Sequence, residues 1–384
     1  MQPPMISEVA DVHRAVDELA MAVDDALVQQ PSSKVWVRDA IARRGGSRCP
    51  VSLRRFSYDL VARQGPLLAE LLATYPDDVV RTQAYEFSVG FQPPGAPNPI
   101  DPIAVLTEPS TWTDEWGTVW EHASGGVGAS PVRHPLEDWA GLDDYLATRM
   151  PDPAAPGRLD GARTSVERHA AHRYFIGASH MALFERFHFL HGMANTFEDL
   201  YTEPAMVERL LDALADYAVG IMGAWRRLGP VDGVFLSDDW GSQSAMMISP
   251  EMWRRVWAPR YRRVFDEAHR QGLHVMFHSC GNIHEIIGDL VDVGVDLLDP
   301  LQPEALDIAR VARDFGGKVA FSGGISDQLL EVYTPQQVKD HVRRTIDTLG
   351  APFGNAYLVS PSNVMMPTVP PANLVALFEA SHNQ

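Results

Sequence analysis

The chain has 384 residues, of which 45% are hydrophobic and 21% charged, and its formal net charge is −18. This composition is typical of a globular protein with a sizeable core, and the length fits one (β/α)8 barrel with insertions. The negative charge argues against nucleic acid or an anionic membrane as a partner, because nothing offsets the repulsion from phosphate groups. The longest apolar runs are also too short to span a membrane.

The cysteine content and the first residues bear on the cellular compartment. Cys49 and Cys280 are the two cysteines of the chain, too few for a disulfide framework. Residues 1–5 lack a basic segment followed by an apolar stretch, so they do not resemble a secretory signal. We therefore expect a cytoplasmic protein.

The first 48 residues are predicted to form an N-terminal helical segment. Valine and leucine recur at about helical spacing within residues 6–30, and a second helix is predicted over residues 34–44, ending at two glycines. The next apolar runs, at residues 51–53 and 80–84, are candidates for the first two strands of a barrel that occupies residues 49–384.

Residues 92–160 differ in character from the rest of the chain. They contain much of the proline, several tryptophans and the glycine-rich tract 124–128. Residues 111–122, followed by this tract, predict a β-hairpin with a loose turn. We expect the region to be an insertion that covers a pocket, with residues 151–158 as a surface loop.

From residue 173 onward, apolar strand-like runs alternate with amphipathic helical segments such as 250–270 and 334–349. This alternation predicts a parallel sheet with right-handed crossovers. Together with the two candidates upstream, the strands number eight, which favours a closed (β/α)8 TIM barrel of the α/β class over an open sheet. A Gly-x-Gly-x-x-Gly motif after a strand is missing, so dinucleotide binding is disfavoured. The six later predicted strands are residues 174–178, 231–236, 274–277, 295–298, 319–321 and 356–359.

The carboxyl ends of five consecutive predicted strands turn polar, and the active site of such a barrel forms at those ends. We therefore expect these residues to face one pocket and to bind a small-molecule substrate. His180 and Glu86 follow earlier strands and are further candidates. Gly323 and Gly324 either form a tight turn or expose backbone N–H groups to an anion. The candidates at the five strand ends are Asp238, Asp239, Gln243, His278, Cys280, Asp299, Gln302, Gly323, Gly324 and Ser360.

His278 and Cys280 form the most informative pair among these residues. They lie two positions apart at a strand end, so both side chains share one face. Imidazole and thiolate together suit Zn²⁺, and the pair therefore predicts half of a metal site. The alternative is a strand-end histidine that packs beside a small buried thiol.

Asp238 and Asp239 are adjacent and must point in opposite directions on an extended strand end. One of them at most can face the barrel axis. There it can bind metal or substrate, or act as a general acid or base. Either residue can instead cap a helix or form a salt bridge.

Several motifs resemble the uroporphyrinogen decarboxylase superfamily, which also contains corrinoid-dependent methyltransferases. The resemblance implies a (β/α)8 barrel with a deep pocket at the carboxyl ends of its strands. It covers roughly half of the chain, from about residue 173 to 380, and residues 114–120 also resemble a hairpin of family members. The motifs are residues 238–243 (DDWGSQ), 248–253 (ISPEMW), 278–281 (HSCG), 294–303 (GVDLLDPLQP), 321–325 (FSGGI) and 369–374 (VPPANL).

Two departures from the family pattern bear on function. Uroporphyrinogen decarboxylases carry an Arg-Gln-Ala-Gly-Arg segment that holds the carboxylates of the substrate, whereas residues 52–58 here contain Arg54 and Arg55 without that motif. The methyltransferase branch binds Zn²⁺ through His-x-Cys and a distant second cysteine. Residues 360–363 contain no cysteine, so either Asp239 completes the coordination or the metal is weakly bound or absent.

The resemblance leads to three hypotheses. The first is a zinc-dependent methyltransferase or demethylase, with His278, Cys280 and Asp239 as ligands, a small-molecule or corrinoid methyl carrier, and Gln243, Asp299 and Gln302 orienting the substrate. The second is a cofactor-free decarboxylase of a small carboxylated ring or tetrapyrrole. In it Asp238 or Asp239 stabilises a protonated intermediate, Arg54 or Arg55 holds a carboxylate, and His278 assists proton transfer. The third is a non-catalytic tetrapyrrole-binding or corrinoid-binding protein. The family resemblance also implies a homodimer and, for methyl transfer, a corrinoid protein as partner.

Overall fold

The computed structural model describes residues 9–29, 32–81, 90–96, 99–123 and 128–384. Seven parallel strands form the main sheet, in the order β1-β5-β6-β7-β8-β9-β10, and three shorter antiparallel strands, β2 to β4, form a second sheet. The α/β fold predicted from the alternation of strands and helices is therefore confirmed. The strands are β1 Val79–Arg81, β2 Ser110–Thr113, β3 Val119–His122, β4 Ser130–Arg133, β5 Tyr174–Met181, β6 Gly233–Ser237, β7 His274–His278, β8 Leu297–Leu301, β9 Ala320–Ile325 and β10 Tyr357–Pro361.

The segment around Val51 lies between the first and last strands of the main sheet. Val51 forms a parallel bridge with Val359 of β10. On its other side the Asp78 amide donates to the Val51 carbonyl at 2.8 Å, and the Val51 amide donates to the Asp78 carboxylate, also at 2.8 Å. Val51 thus occupies the eighth position of a TIM-barrel-like ring. The strand predicted over residues 51–53 was too long. Val51 forms an isolated bridge, and its amide donates to the Asp78 carboxylate instead of a backbone carbonyl.

Helices surround the sheet. The predicted helix 250–270 forms two helices that are separated at Trp257. Each of the two has a proline in its first turn. The predicted helix 334–349 is confirmed, with Thr334 and Gln337 forming a capping box. The α-helices are Val9–Gln29, Lys34–Ile41, Tyr58–Thr74, Pro102–Thr107, Leu142–Asp144, Asp160–His169, Phe184–His191, Met193–Thr202, Pro204–Leu228, Pro250–Val256, Ala258–Arg270, Ile287–Val293, Ile308–Phe315, Asp327–Val332, Pro335–Leu349 and Pro371–His382. Among the described residues, none of these helices combines the length and apolar character that crossing a bilayer requires.

The helix Lys34–Ile41 closes one end of the barrel. Its buried residues Val37 and Ile41 pack with apolar residues that point into the barrel, among them Ile176, Met276 and Leu358. At the same end of the barrel, the buried carboxylate of Asp232 forms ion pairs with this helix. It pairs with Lys34 at 2.8 Å and Arg38 at 2.6 Å and also accepts the Phe175 amide at 3.0 Å. These contacts leave the opposite, carboxyl end of the barrel for a site.

Replacing Asp232 is expected to weaken this end of the barrel. Asp232→Ala leaves the mostly buried Lys34 ammonium and the Phe175 amide without their partner, and breaking a buried ion pair costs about 3 kcal/mol or more. Urea unfolding of the purified variant measures the change. Asp292→Ala, at an exposed aspartate, serves as the control and should change the free energy of unfolding by less than about 0.5 kcal/mol. Equal effects of the two substitutions would contradict this account.

The inserted region forms the predicted hairpin and attaches it to the barrel. β2 pairs antiparallel with β3, and β3 with β4. Buried Asp114, in the hairpin turn, accepts the Trp120 indole N–H at 3.0 Å and pairs with buried Arg186 of the helix Phe184–His191 at 3.0 Å. Asp114 and Arg186 are both buried, and their ion pair holds the insertion against the helix that follows β5. Most of the glycine-rich tract, residues 124–127, lies outside the described residues.

Candidate metal centre

The register of three neighbouring strands brings the site together. Ser237 of β6 pairs with His278 of β7, and His278 pairs with Asp299 of β8. Asp239 and Cys280 each lie two residues beyond a member of this row, at the carboxyl ends of their strands. Parallel strands in register therefore place a carboxylate and a thiol beside the same imidazole.

The ligand atoms of Asp239, His278 and Cys280 all lie within 4.8 Å of one another, and each side chain is half-buried. Cys280 Sγ is 3.3 Å and Asp239 Oδ1 is 3.7 Å from His278 Nε2. The Cys280 amide also donates to Asp239 Oδ1 at 2.7 Å, which ties the carboxylate to the loop that carries the thiol. The structure thus brings together the three ligands predicted from the sequence.

A buried ion pair fixes the orientation of the imidazole. His278 Nδ1 lies 2.8 Å from Asp299 Oδ2, and the other oxygen of Asp299 pairs with Arg55. Burial acts against the charge of Asp299, but Arg55 and His278 outweigh it and hold the pKa of Asp299 well below its usual range. Because an ionised carboxylate only accepts hydrogen bonds, Nδ1 carries the proton and Nε2 is left to face Asp239 and Cys280.

The surroundings of His278 favour a positive charge. Burial opposes a charged imidazole, yet Cys280, Asp299 and Asp239 outweigh it and raise the pKa of His278 well above its usual value. The same electrostatic environment would favour a divalent cation between these groups. One imidazole, one thiolate and one carboxylate, with an orienting carboxylate behind the imidazole, fit a three-ligand Zn²⁺ site that keeps a fourth position open.

Asp238 and Asp239 point in opposite directions, as predicted. Fully buried Asp238 accepts the amides of Leu183 at 2.8 Å and Glu185 at 2.7 Å, and the Tyr261 hydroxyl at 2.5 Å. Burial raises the pKa of Asp238 to about 7 against these hydrogen bonds. The structure places Asp238 in the packing between β6 and its neighbouring helices, and its catalytic role stays a prediction.

The other candidates at the strand ends occupy varied places. Gln302 Oε1 accepts the Gly281 amide at 3.0 Å and so supports the loop after Cys280. Exposed Gln243 donates to the Glu304 carbonyl at 2.5 Å. Ser360 is buried, and its hydroxyl donates to the neighbouring Pro361 carbonyl at 3.1 Å. Contact of these three residues with a substrate stays a prediction.

The two glycines after the β9 apolar run are buried and have φ angles of +93° and +83°. A Cβ on Gly323 would lie 2.7 Å from the Leu301 amide nitrogen, and one on Gly324 would lie 2.9 Å from Leu349 Cδ1. Glycine is therefore required here for backbone conformation and close packing. Both glycines lie within β9 and pair with Val359 and Ser360 of β10, so they do not form the tight turn that was one of the two predicted alternatives. Their role in substrate binding stays a prediction.

A cavity of about 770 Å³ is lined by Arg54, which the sequence predicted to bind substrate. Glu86 lies outside the described residues, and so does the side chain of His180, whose backbone is in β5. The three candidate metal ligands are not among the residues that line the cavity. Arg55 lines it and connects it to His278 through Asp299.

Arg81 is a cavity residue that the sequence reasoning missed. It ends β1, and its guanidinium lies 4.7 Å over the Phe235 ring, which in turn is 5.6 Å from the His278 ring. A polar residue directly after an apolar run marks the rim of a barrel, and Arg81 follows Val79 and Val80 in this way. That rule would have identified Arg81 as a candidate. The strand predicted over residues 80–84 placed Arg81 in the body of the strand, and residues 82–84 lie outside the described residues.

The fold and the site together define a TIM-barrel-like protein with a metal-type ligand set at the carboxyl ends of its strands. The family model for uroporphyrinogen decarboxylase (URO-D) matches residues 126–384. The chain belongs to this family, as the motifs at the strand ends indicated.

Individual relatives are more distant. The chain is 26% identical over 190 residues to uroporphyrinogen decarboxylase of Serratia proteamaculans (strain 568) and 24% identical over 190 residues to that of Methylibium petroleiphilum. Each match covers 48% of this chain, and the chain spans about half the length of the curated relatives it matches, 50% and 48% respectively. A methyltransferase from Methanosarcina mazei shares the fold, with a TM-score of 0.66 at 14% identity over 92% of this chain and 99% of that one.

Proposed function

We propose that this chain is an enzyme that binds Zn²⁺ through Asp239, His278 and Cys280 and catalyses methyl transfer or demethylation of a small molecule. The convergence of three donor atoms within 4.8 Å carries the proposal. Family membership and the shared barrel with a methyltransferase support the class of reaction. A small-molecule or corrinoid methyl carrier, a corrinoid protein as partner and a homodimer are further parts of the proposal.

The residues around the site have distinct parts in this chemistry. A bound Zn²⁺ would supply a Lewis acid that lowers the pKa of an oxygen or sulfur ligand at its open position. Asp299 holds the His278 tautomer, and the Cys280 amide holds Asp239. One thiolate and one carboxylate would balance the charge of a Zn²⁺ ion. Two thiolates and a carboxylate would instead give the site a net negative charge and make the ion a weaker Lewis acid.

Metal content tests the proposal. Wild-type protein incubated with zinc and desalted should retain about one Zn per chain, because three protein ligands with an open fourth position are the usual ligand set of a catalytic zinc site. Cys280→Ala should weaken zinc binding at least ~10-fold. His284→Asn is the matched control, since His284 follows on the same loop but pairs with Asp314 at 3.2 Å. Zinc retained equally by wild type and Cys280→Ala would refute the metal site.

Thiol labelling provides an independent readout of the same site. Cys280 is half-buried, whereas Cys49 is buried, and burial raises the pKa of the Cys49 thiol to about 12. Iodoacetamide should therefore label Cys280 in the native protein and leave Cys49 unlabelled. Zinc should protect Cys280, and mass spectrometry of digested protein locates the label.

A second candidate function is cofactor-free decarboxylation of a small carboxylated ring or tetrapyrrole. The observation that favours it is the position of Arg54 in the cavity wall, where it can hold a carboxylate. Turnover by metal-free protein, unchanged in Cys280→Ala, would support this function over zinc-dependent methyl transfer. A tightly bound pigment without turnover would instead support a binding protein.

A further inference from the structure

The inserted region builds one wall of the cavity around a single carboxylate. Glu115, in the turn between β2 and β3, accepts the Phe91 amide at 3.1 Å. The same carboxylate accepts from both terminal nitrogens of Arg158, at 2.9 and 2.7 Å. Phe91 and Arg158 both line the cavity. One side chain of the hairpin turn therefore fixes the backbone of one cavity residue and the guanidinium of another.

The guanidinium of Arg158 lies over the Phe91 ring, with its central carbon 4.4 Å from the centre of the ring. Its Nε donates to the Asp152 carbonyl at 3.0 Å, so all three nitrogens of the group have acceptors. The side chain is only 2% exposed. Because Glu115 balances its charge and these hydrogen bonds fix its plane, Arg158 serves to hold the aromatic ring in place.

Phe91 is half-buried, and the part of its ring that Arg158 does not cover belongs to the cavity wall. Aromatic rings attract one another in offset stacked arrangements, and this attraction adds to the burial of apolar area. A ring held by an arginine on one face loses little conformational freedom when a second ring packs against it. The cavity therefore contains a preorganised surface for stacking.

Many of the other apolar side chains around the cavity are aliphatic and do not distinguish a flat ring from a saturated one. They come from the N-terminal helix, the segment before the hairpin and the barrel strands. The cavity volume of about 770 Å³ is within the usual range of ~300–1,000 Å³ for small-molecule sites. These aliphatic lining residues include Leu19, Ile100, Ile176 and Leu358.

We propose that the cavity binds a small molecule built on a flat aromatic ring, and that this ring stacks on Phe91. Phe91 is then the residue that selects aromatic over saturated ligands. Glu115 and Arg158 are positioning residues, since they act on the ligand through Phe91. The inference rests on the proposed function and names the class of substrate for it.

Isothermal titration calorimetry with a matched pair of neutral probes tests the stacking surface. The probes are 2-naphthamide and its saturated counterpart, decahydronaphthalene-2-carboxamide, titrated into full-length wild-type protein loaded with zinc. The saturated probe has the same carbon skeleton and no less apolar surface, so hydrophobic burial alone does not favour the aromatic probe. Stacking on Phe91 should make 2-naphthamide bind about 3- to 10-fold more tightly.

Variants identify the ring responsible. Phe91→Leu keeps an apolar side chain without the ring, so it should abolish the preference for 2-naphthamide and leave the affinity for the saturated probe unchanged. Phe91→Tyr should retain the preference, whereas Glu115→Gln, which breaks the ion pair with Arg158, should reduce it. Phe315→Leu is the matched control, since Lys318 lies 5.7 Å over the Phe315 ring outside the cavity, and it should bind both probes as wild type does. Thermal unfolding verifies that each variant is folded.

Three results would overturn the inference: equal binding of the two probes by wild type, no binding of 2-naphthamide, or a wild-type preference in Phe91→Leu. The same titrations in Cys280→Ala separate this inference from the zinc proposal. The aromatic preference should persist there, because Cys280 is not among the residues that line the cavity. A failure of zinc binding together with a retained preference would remove the metal and leave the stacking surface, whereas the reverse result would remove the stacking surface alone.

Discussion

Asp299→Ala is expected to lower the free energy of unfolding by about 3–5 kcal/mol, because it leaves the buried guanidinium of Arg55 without its partner. The same change should weaken zinc binding by about 10- to 100-fold, since the His278 imidazole loses the carboxylate that holds its tautomer. Urea unfolding measures the first effect, and competition with a chromophoric chelator measures the second. Both effects come from one side chain that is not among the three proposed zinc ligands.

Asp296→Ala is the matched control for this prediction. Asp296 lies three residues earlier, just before β8, and accepts the Val275 amide at 2.7 Å and pairs with His269 at 2.8 Å. It should cost some stability but leave zinc affinity unchanged, because it lies at the other end of the strand from His278. If Asp299→Ala bound zinc as tightly as Asp296→Ala does, Asp299 would not position the imidazole.

The two adjacent aspartates are expected to separate metal binding from stability. Asp239→Ala removes a ligand and should weaken zinc binding at least ~10-fold, while the free energy of unfolding changes by less than about 1 kcal/mol at this half-buried position. Asp238→Ala leaves three buried donors unpaired, at about 1–3 kcal/mol each, and should destabilise the fold strongly. Chelator competition and urea unfolding on both variants give the comparison.

The pH dependence of stability offers a further readout for Asp238. Its pKa is raised to about 7, against about 4 in an unfolded chain, so the folded state binds the proton more tightly. The contribution of this carboxyl to stability is therefore greatest below pH 4 and falls as pH rises towards 7. Asp238→Ala should reduce this loss of stability between pH 4 and 7, and Asp239→Ala should retain it. Identical pH profiles for the two variants would contradict the assignment of the buried carboxylate.

Much of the barrel could be predicted from the sequence because its strands are buried on both faces. Such strands are near-continuous apolar runs, and the predicted runs from residue 174 onward correspond to β5 to β10 with boundaries shifted by a few residues. The segment at Val51 was harder to place. It bridges a strand some 300 residues later in the chain, and a run of three residues carries too little periodicity to show how it pairs.

The site was predictable where its chemistry is local. His278 and Cys280 are two residues apart, so their shared face follows from strand geometry. Which of Asp238 and Asp239 faces His278 could not be predicted in this way. The answer depends on Asp238 accepting hydrogen bonds from the Tyr261 hydroxyl and from the amides of Leu183 and Glu185, which are distant in the chain. The pairing of Arg55 with Asp299 was equally out of reach, because it joins positions 244 residues apart.

Local patterns in the chain thus determine the strands, the hairpin, the family and the imidazole–thiol pair. The barrel register then places Asp239 beside that pair and gives Arg55 a carboxylate partner, while the Arg54 and Arg81 guanidinium groups line the cavity. The reason is physical. Periodicity and short motifs depend on neighbours in the chain, whereas charge pairing depends on distances that are established when the strands close around a common axis.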